Sequence, residues 1–247
     1  MSSDDKTSYF LFNRIIFGFL ILANIGWIIA QPIENLRAIH MGGNWGLNVT
    51  GMLTHPPEYF AFLQNLNAKW VGISIALHID DSMDSTVERK YSNVQIPTFT
   101  DSALSSLIHV LKQNSFNVML TLAFETQEAE QAQHPVARWQ LGDPRMPEED
   151  PNILPEFWPW SLNHPEHSVF VNKFWGTYIE QVVHFAEIAE SEGVDIYSLG
   201  TETDRFIRSR QGGYWPNHFY DEIVNMVDSA RSRFSGLLTY DMHYGVL

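Results

Sequence analysis

The hydrophobic pattern of the chain changes period repeatedly, from short runs of apolar residues to longer stretches with apolar positions three and four apart. Ala38 to Met41 is a first short strand, ending in the turn Gly42-Gly43-Asn44-Trp45-Gly46. Pro56 and Pro57 then open a helix with Phe60, Leu63 and Leu66 on one side; proline is tolerated there because first-turn N–H groups have no intrahelical partner. Trp70 to Leu77 is a β-rich apolar run of the kind buried on both faces. Asp101 is placed to cap a helix carrying Leu104, Leu107, Ile108 and Leu111, and Asn114 suits its end. Asn117 to Phe124 predicts a third strand.

A segment rich in Pro, Glu and Trp follows, from Glu125 to about Pro165. Loops of that length inside a domain are uncommon and often functional. The clearest helix comes next, with Val171, Phe174, Trp175, Tyr178, Val182, Phe185 and Ala189 along one face and Gly193 closing it. Asp195 to Leu199 predicts a fourth strand that runs into Gly200-Thr201-Glu202. A helix around Phe219, Ile223, Met226 and Ala230 precedes a fifth strand, Leu237 to Met242.

Strands alternating with helices predict βα units with right-handed connections and a parallel sheet, either open or closed into a barrel. The chain has neither G-x-G-x-x-G nor G-x-x-x-x-G-K-[ST], which lowers the case for a nucleotide-binding sheet. No G-x-S-x-G elbow is present either.

Composition narrows the partners. The formal net charge of −14 argues against nucleic acid, whose phosphates need clustered Lys and Arg. A neutral polysaccharide is not repelled. Eight Trp, nine Tyr and sixteen Phe could pack on sugar rings, although core packing accounts for most of them. With no cysteine, disulfides and thiolate metal sites are excluded. No cofactor or metal is expected: Asp80-Asp81-Ser82-Met83-Asp84 lacks the glycine and distal Glu of an EF-hand loop. His164-Pro165-Glu166-His167 does not have the H-E-x-x-H spacing of zinc sites.

Residues 1–35 read as a separate leader. Ile15 to Ala30 is apolar and preceded by Lys6 and Arg14, the pattern of a signal peptide or an uncleaved signal anchor. The expectation is a chain secreted or held at the extracytoplasmic side of a membrane through residues 10–30. The domain would occupy 36–247.

In a barrel, the C-terminal strand ends converge on one mouth. Here they bring Asn44 and Trp45, His78, Phe124 and Glu125, Glu202, and His243 and Tyr244. A carboxylic acid among aromatics and histidines suits glycosidic bond cleavage, because partial desolvation equips it to donate a proton to the leaving oxygen. The alternative for Glu202 is a structural carboxylate paired with Arg205 or Arg208. His78 and His243 serve equally as substrate ligands or hydrogen-bonded scaffold, and Trp45 as sugar platform or core.

Three stretches, Phe116 to Phe124, Phe185 to Glu202 and Ser235 to Tyr240, resemble glycoside hydrolase family 113. That resemblance implies a β-mannanase-like (β/α)8 TIM barrel, a retaining mechanism, and Glu202 as general acid/base on strand four. Asn44, Trp45, His78, Glu125, His243 and Tyr244 would then bind substrate. The third strand ends Thr121-Leu122-Ala123-Phe124-Glu125 where the family has a Lys-Pro-His-type ending, so mannan is one candidate among β-linked polysaccharides. Retention needs a second carboxylate about 5–5.5 Å from the first. The resemblance places that nucleophile on strand seven, whereas about five strands are present, so the expectation is a barrel truncated there. Glu125 and Asp241 are the in-chain carboxylates nearest the mouth. The competing readings are a non-catalytic carbohydrate-binding or surface protein on a degenerate barrel and, more distantly, a metal-dependent hydrolase.

Overall fold

A computed structural model describes residues 38–41, 56–81, 83–126, 138, 141–143, 158–206 and 219–241. The elements run β1 (Ala38–Met41), α1 (Pro56–Asn65), β2 (Trp70–His78), α2 (Asp101–Gln113), β3 (Asn117–Glu125), α3 (His167–Ser191), β4 (Ile196–Thr201), α4 (Tyr220–Arg231) and β5 (Leu237–Asp241). A single 3₁₀ turn, Asp204–Phe206, follows β4. Residues 1–35, expected to form a leader, lie outside the described residues. Among those described, no helix is long and apolar enough to cross a membrane.

All strand pairs are parallel and the order is β1-β2-β3-β4-β5, so each new strand is added on the same side of the last. Doubly wound sheets reverse direction at a switch point. With right-handed crossovers, unreversed addition puts every helix on one face of the sheet. This is the winding of a TIM-barrel-like α/β fold, of which the described residues form part.

The pleat separates two chemistries. Val71, Ile73, Ile75 and Leu77 on β2, Val118, Leu120, Leu122 and Phe124 on β3, and Tyr197 and Leu199 on β4 belong to the apolar core. Alternate positions point the other way. There the register aligns Ser74, Thr121, Ser198 and Thr239 into one transverse row of hydroxyl residues. Ala76 pairs with Ala123 in the next layer, and His78 with Glu125 at the top.

On the helical face, α3 carries most of the seam. Phe174, Tyr178, Val182 and Phe185 are fully buried, and Phe174 and Tyr178 contact the Phe124 ring. The Tyr197 hydroxyl donates to the Val182 carbonyl at 3.0 Å. Burial pushes both Tyr178 and Tyr197 well above the ordinary tyrosine value, so both remain protonated donors. Trp160 is fully buried against Phe170, Phe174, Phe206 and Phe219. The described aromatics of this cluster are therefore core.

The three helix-to-strand turns α1–β2, α2–β3 and α3–β4 share one geometry. Asn67, Ser115 and Gly193 have φ of 52°, 63° and 69°. In each, the following N–H returns to a carbonyl five residues back: Ala68 to Leu63 at 3.0 Å, Phe116 to Leu111 at 3.1 Å and Val194 to Ala189 at 2.9 Å. These are Schellman motifs, with the accompanying apolar contact buried in every case.

Several boundaries differ from those expected. Leu66 lies just past the end of α1 and is exposed, and the left-handed Asn67 that follows it turns the chain toward β2. Thr100, not Asp101, caps α2: its hydroxyl accepts the Ala103 N–H at 3.3 Å, and Asp101 is the first helical residue. Asp195 precedes β4, where its carboxylate accepts both the Val118 N–H and the Lys112 ammonium at 2.7 Å. In the acidic stretch the Asp81 side chain accepts the Met83 N–H and that of Asp84 the Thr86 N–H, each at 2.9 Å.

Ser115 holds a left-handed conformation that costs an L-residue roughly 1–2 kcal/mol, so Ser115→Gly is expected to stabilise the protein by about 0.5–1 kcal/mol after the extra unfolded-state entropy of glycine. Gly193→Ala is expected to cost a similar amount. Urea melts of the two variants check the pair, and a Ser115→Gly protein less stable than the parent would contradict the turn geometry.

Candidate active site at the ends of the strands

The described strand ends put His78, Glu125, Glu202 and Asp241 at one edge of the sheet. Asn44, Trp45, His243 and Tyr244 lie outside the described residues. His78 closes β2 and is buried; its backbone exchanges hydrogen bonds with Glu88 at 2.8 and 3.0 Å, which folds the β2–α2 connection back across the strand end. Thr98 reinforces that fold by donating its hydroxyl to the Ala76 carbonyl at 2.8 Å.

The Glu202 turn is irregular. β4 and β5 pair Ser198 with Thr239 but Thr201 with Asp241, so one extra residue on β4 forms a bulge. Bulges re-aim side chains and recur beside active sites. Glu202 itself has φ 55°, in the left-handed region a residue of this type rarely occupies. Its N–H donates to the Asp241 carbonyl at 3.0 Å, which fixes the turn to the end of β5.

Gly200 makes this packing possible. A Cβ there would stand 2.6 Å from the Tyr178 hydroxyl and 2.8 Å from the Tyr240 ring. Without it, Tyr178 reaches in from α3 to donate to the Leu199 carbonyl at 2.5 Å. The Tyr240 hydroxyl meets that of Thr203, which is fully buried just after Glu202. The Gly-Thr-Glu stretch is thus held from beneath by two tyrosines.

Among the described residues the Glu202 carboxylate is paired, and not with Arg205. Arg138 donates to Glu202 Oε2 through Nε and Nη2, each at 2.7 Å. The same guanidinium donates through Nη1 to the Phe124 carbonyl at 3.3 Å and lies 3.8 Å from Glu125 Oε1. Arg205 instead stands 3.6 Å from Asp143, and Arg208 is outside the described residues. Asp241 is turned to the hydroxyl face, where its Oδ2 is 3.4 Å from Thr121 Oγ1. The structure therefore brings Glu125 and Glu202 together over one arginine. That arginine was the residue sequence reasoning missed, within the long segment after β3.

The chain matches no protein-family model and no curated protein sequence. Its fold is nonetheless found among solved structures. A complex of a GH113 β-1,4-mannanase superposes with a TM-score of 0.57 over 85% of this chain, at 16% sequence identity. The GH113 β-mannanase from Alicyclobacillus acidocaldarius in complex with ManMIm gives 0.57 over 87%, at 15% identity. The fold is GH113-like. The chain spans 56% of the length of each of these proteins. Within this fold Glu202 directly follows β4.

The left-handed turn sets up a test independent of any reaction. Glu202→Gly would relieve about 1 kcal/mol of backbone strain and forfeit a part-exposed ion pair worth at most about 1 kcal/mol. The expected Tm is unchanged or higher. A clear fall in Tm would mean that the Arg138 pair, and not the β4–β5 pairing, holds the turn.

Proposed function

We propose that the protein is a retaining glycoside hydrolase of β-linked polysaccharide, with β-mannan the first substrate to test and Glu202 the general acid/base. The observation that carries this reading is the Glu202 turn: a carboxylate at the end of β4, re-aimed by a bulge and kept part-exposed on a left-handed backbone in a GH113-like fold. In the proposed reaction Glu202 protonates the leaving glycosidic oxygen, and its carboxylate then takes a proton from the water that hydrolyses the glycosyl-enzyme.

The retaining mechanism also needs a nucleophilic carboxylate, which the resemblance to family 113 expects on strand seven of the barrel. Asn44, Trp45, His78, Glu125, His243 and Tyr244 are proposed to line the sugar subsites. The protein is proposed to act outside the cytoplasm, secreted or anchored through residues 10–30.

Intact protein is assayed against β-1,4-mannan, β-1,4-glucan and β-1,4-xylan, with the product anomer followed by NMR. Hydrolysis with retention is expected, and Glu202→Gln is expected to lower kcat/KM by about 10²–10⁴-fold, the usual range for a general acid. Binding of these polymers without turnover would replace the hydrolase reading with that of a carbohydrate-binding protein.

A further inference from the structure

The way Arg138 grips Glu202 deepens that reading and rests on it. Two of the three guanidinium nitrogens, Nε and Nη2, converge on one oxygen, Oε2, at 2.7 Å. Among the described residues none hydrogen-bonds the other oxygen, Oε1. The glutamate and arginine side chains are each 30% exposed, so the pair sits at the lip of the site and not in the core. An unrestrained carboxylate turns easily about its last bond, because that torsion is broad. A planar fork holding one oxygen at two points removes that freedom.

Arg138 is itself oriented by acceptors on β3. Its Nη1 faces the Phe124 carbonyl at 3.3 Å and Glu125 Oε1 at 3.8 Å, both at the strand end next to β4. Thus β3 positions the arginine and the arginine positions the carboxylate.

We propose that Arg138 is a positioning residue for acid/base catalysis, holding Oε2 of Glu202 so that Oε1 is the oxygen that exchanges protons with substrate and water. Arg138 touches neither the glycosidic oxygen nor the reacting water; it acts through Glu202. Glu125 orients the arginine in turn.

A residue that acts only through the acid matters in proportion to how much the leaving group needs a proton. The experiment compares an oligosaccharide of the sugar cleaved by the intact protein with its 2,4-dinitrophenyl glycoside, whose leaving group departs without protonation. Arg138→Ala is expected to lower kcat on the oligosaccharide about 10–100-fold, part of the general-acid contribution, with KM nearly unchanged. On the dinitrophenyl glycoside the loss in glycosylation is expected to stay within about threefold. Turnover of the activated substrate also shows that the variant is folded. Arg138→Lys, which keeps the charge but loses the fork, should recover only part of the loss. In a Glu202→Gln background, Arg138→Ala should cost nothing further, since two residues acting as a unit are non-additive.

Equal loss on both substrates, full recovery by lysine, or additive losses in the double variant would each overturn the role of Arg138 while leaving the hydrolase reading intact. No turnover by the parent protein on any glycoside would overturn both.

Discussion

The in-register parallel pairing of β2, β3 and β4 is the constraint on which the rest of the structure depends. Because side chains alternate along a strand, a slip of one residue would turn Val118, Leu120, Leu122 and Phe124 out of the core and send Thr121 and Glu125 into it. The apolar set on each strand excludes that slip. Once register is fixed, so is the level at which each strand ends, and His78 and Glu125 arrive as neighbours without any contact between them being needed to specify it. The same alignment lays Ser74, Thr121, Ser198 and Thr239 across the opposite face, beneath the ionisable strand ends.

The departure from regularity is confined to one place. β4 keeps pace with β3 through Ser198, then gains a residue against β5 before Thr201. The bulge coincides with Gly200, whose missing side chain admits Tyr178 from the helix layer and Tyr240 from β5. A tyrosine hydroxyl satisfying the Leu199 carbonyl compensates for local disturbance of the ladder, and burial keeps that hydroxyl protonated. Rigid packing under the turn and an unusual backbone at its tip are thus parts of one arrangement.

How much of this the sequence announces depends on the range over which each interaction acts. The buried strands declare themselves as unbroken apolar runs and α3 by the spacing of Phe174, Tyr178, Val182 and Phe185, because burial is recorded residue by residue. Gly193 marks its turn for the same local reason. Asn67 and Ser115 make the same Schellman turn with residues that give weaker local signals, and so α1 appeared to extend to Leu66. Thr100 and Asp101 both have capping side chains, and only the helix start decides between them. Arg138 was illegible for a different reason. It stands 64 residues from Glu202, in a segment without periodicity, whereas Arg205 and Arg208 lie just after the glutamate in sequence. The signal available was slight: an arginine in a long segment between two strands whose ends both carry a carboxylate.

Stability alone does not account for what stands at the end of β4. A left-handed φ at Glu202 costs roughly 1–2 kcal/mol relative to glycine, and an ion pair this exposed to solvent returns at most about 1 kcal/mol. The backbone would be served as well or better by glycine, and Asn would also tolerate the conformation. The tyrosines beneath the turn reach Gly200, Leu199 and Thr203, a hold that does not depend on the carboxylate. What the glutamate adds is an acid group presented beside a second carboxylate, with one oxygen gripped by Arg138 and the other without a hydrogen bond among the described residues. The cost of the turn is therefore better explained by chemistry at the sheet edge than by the needs of folding.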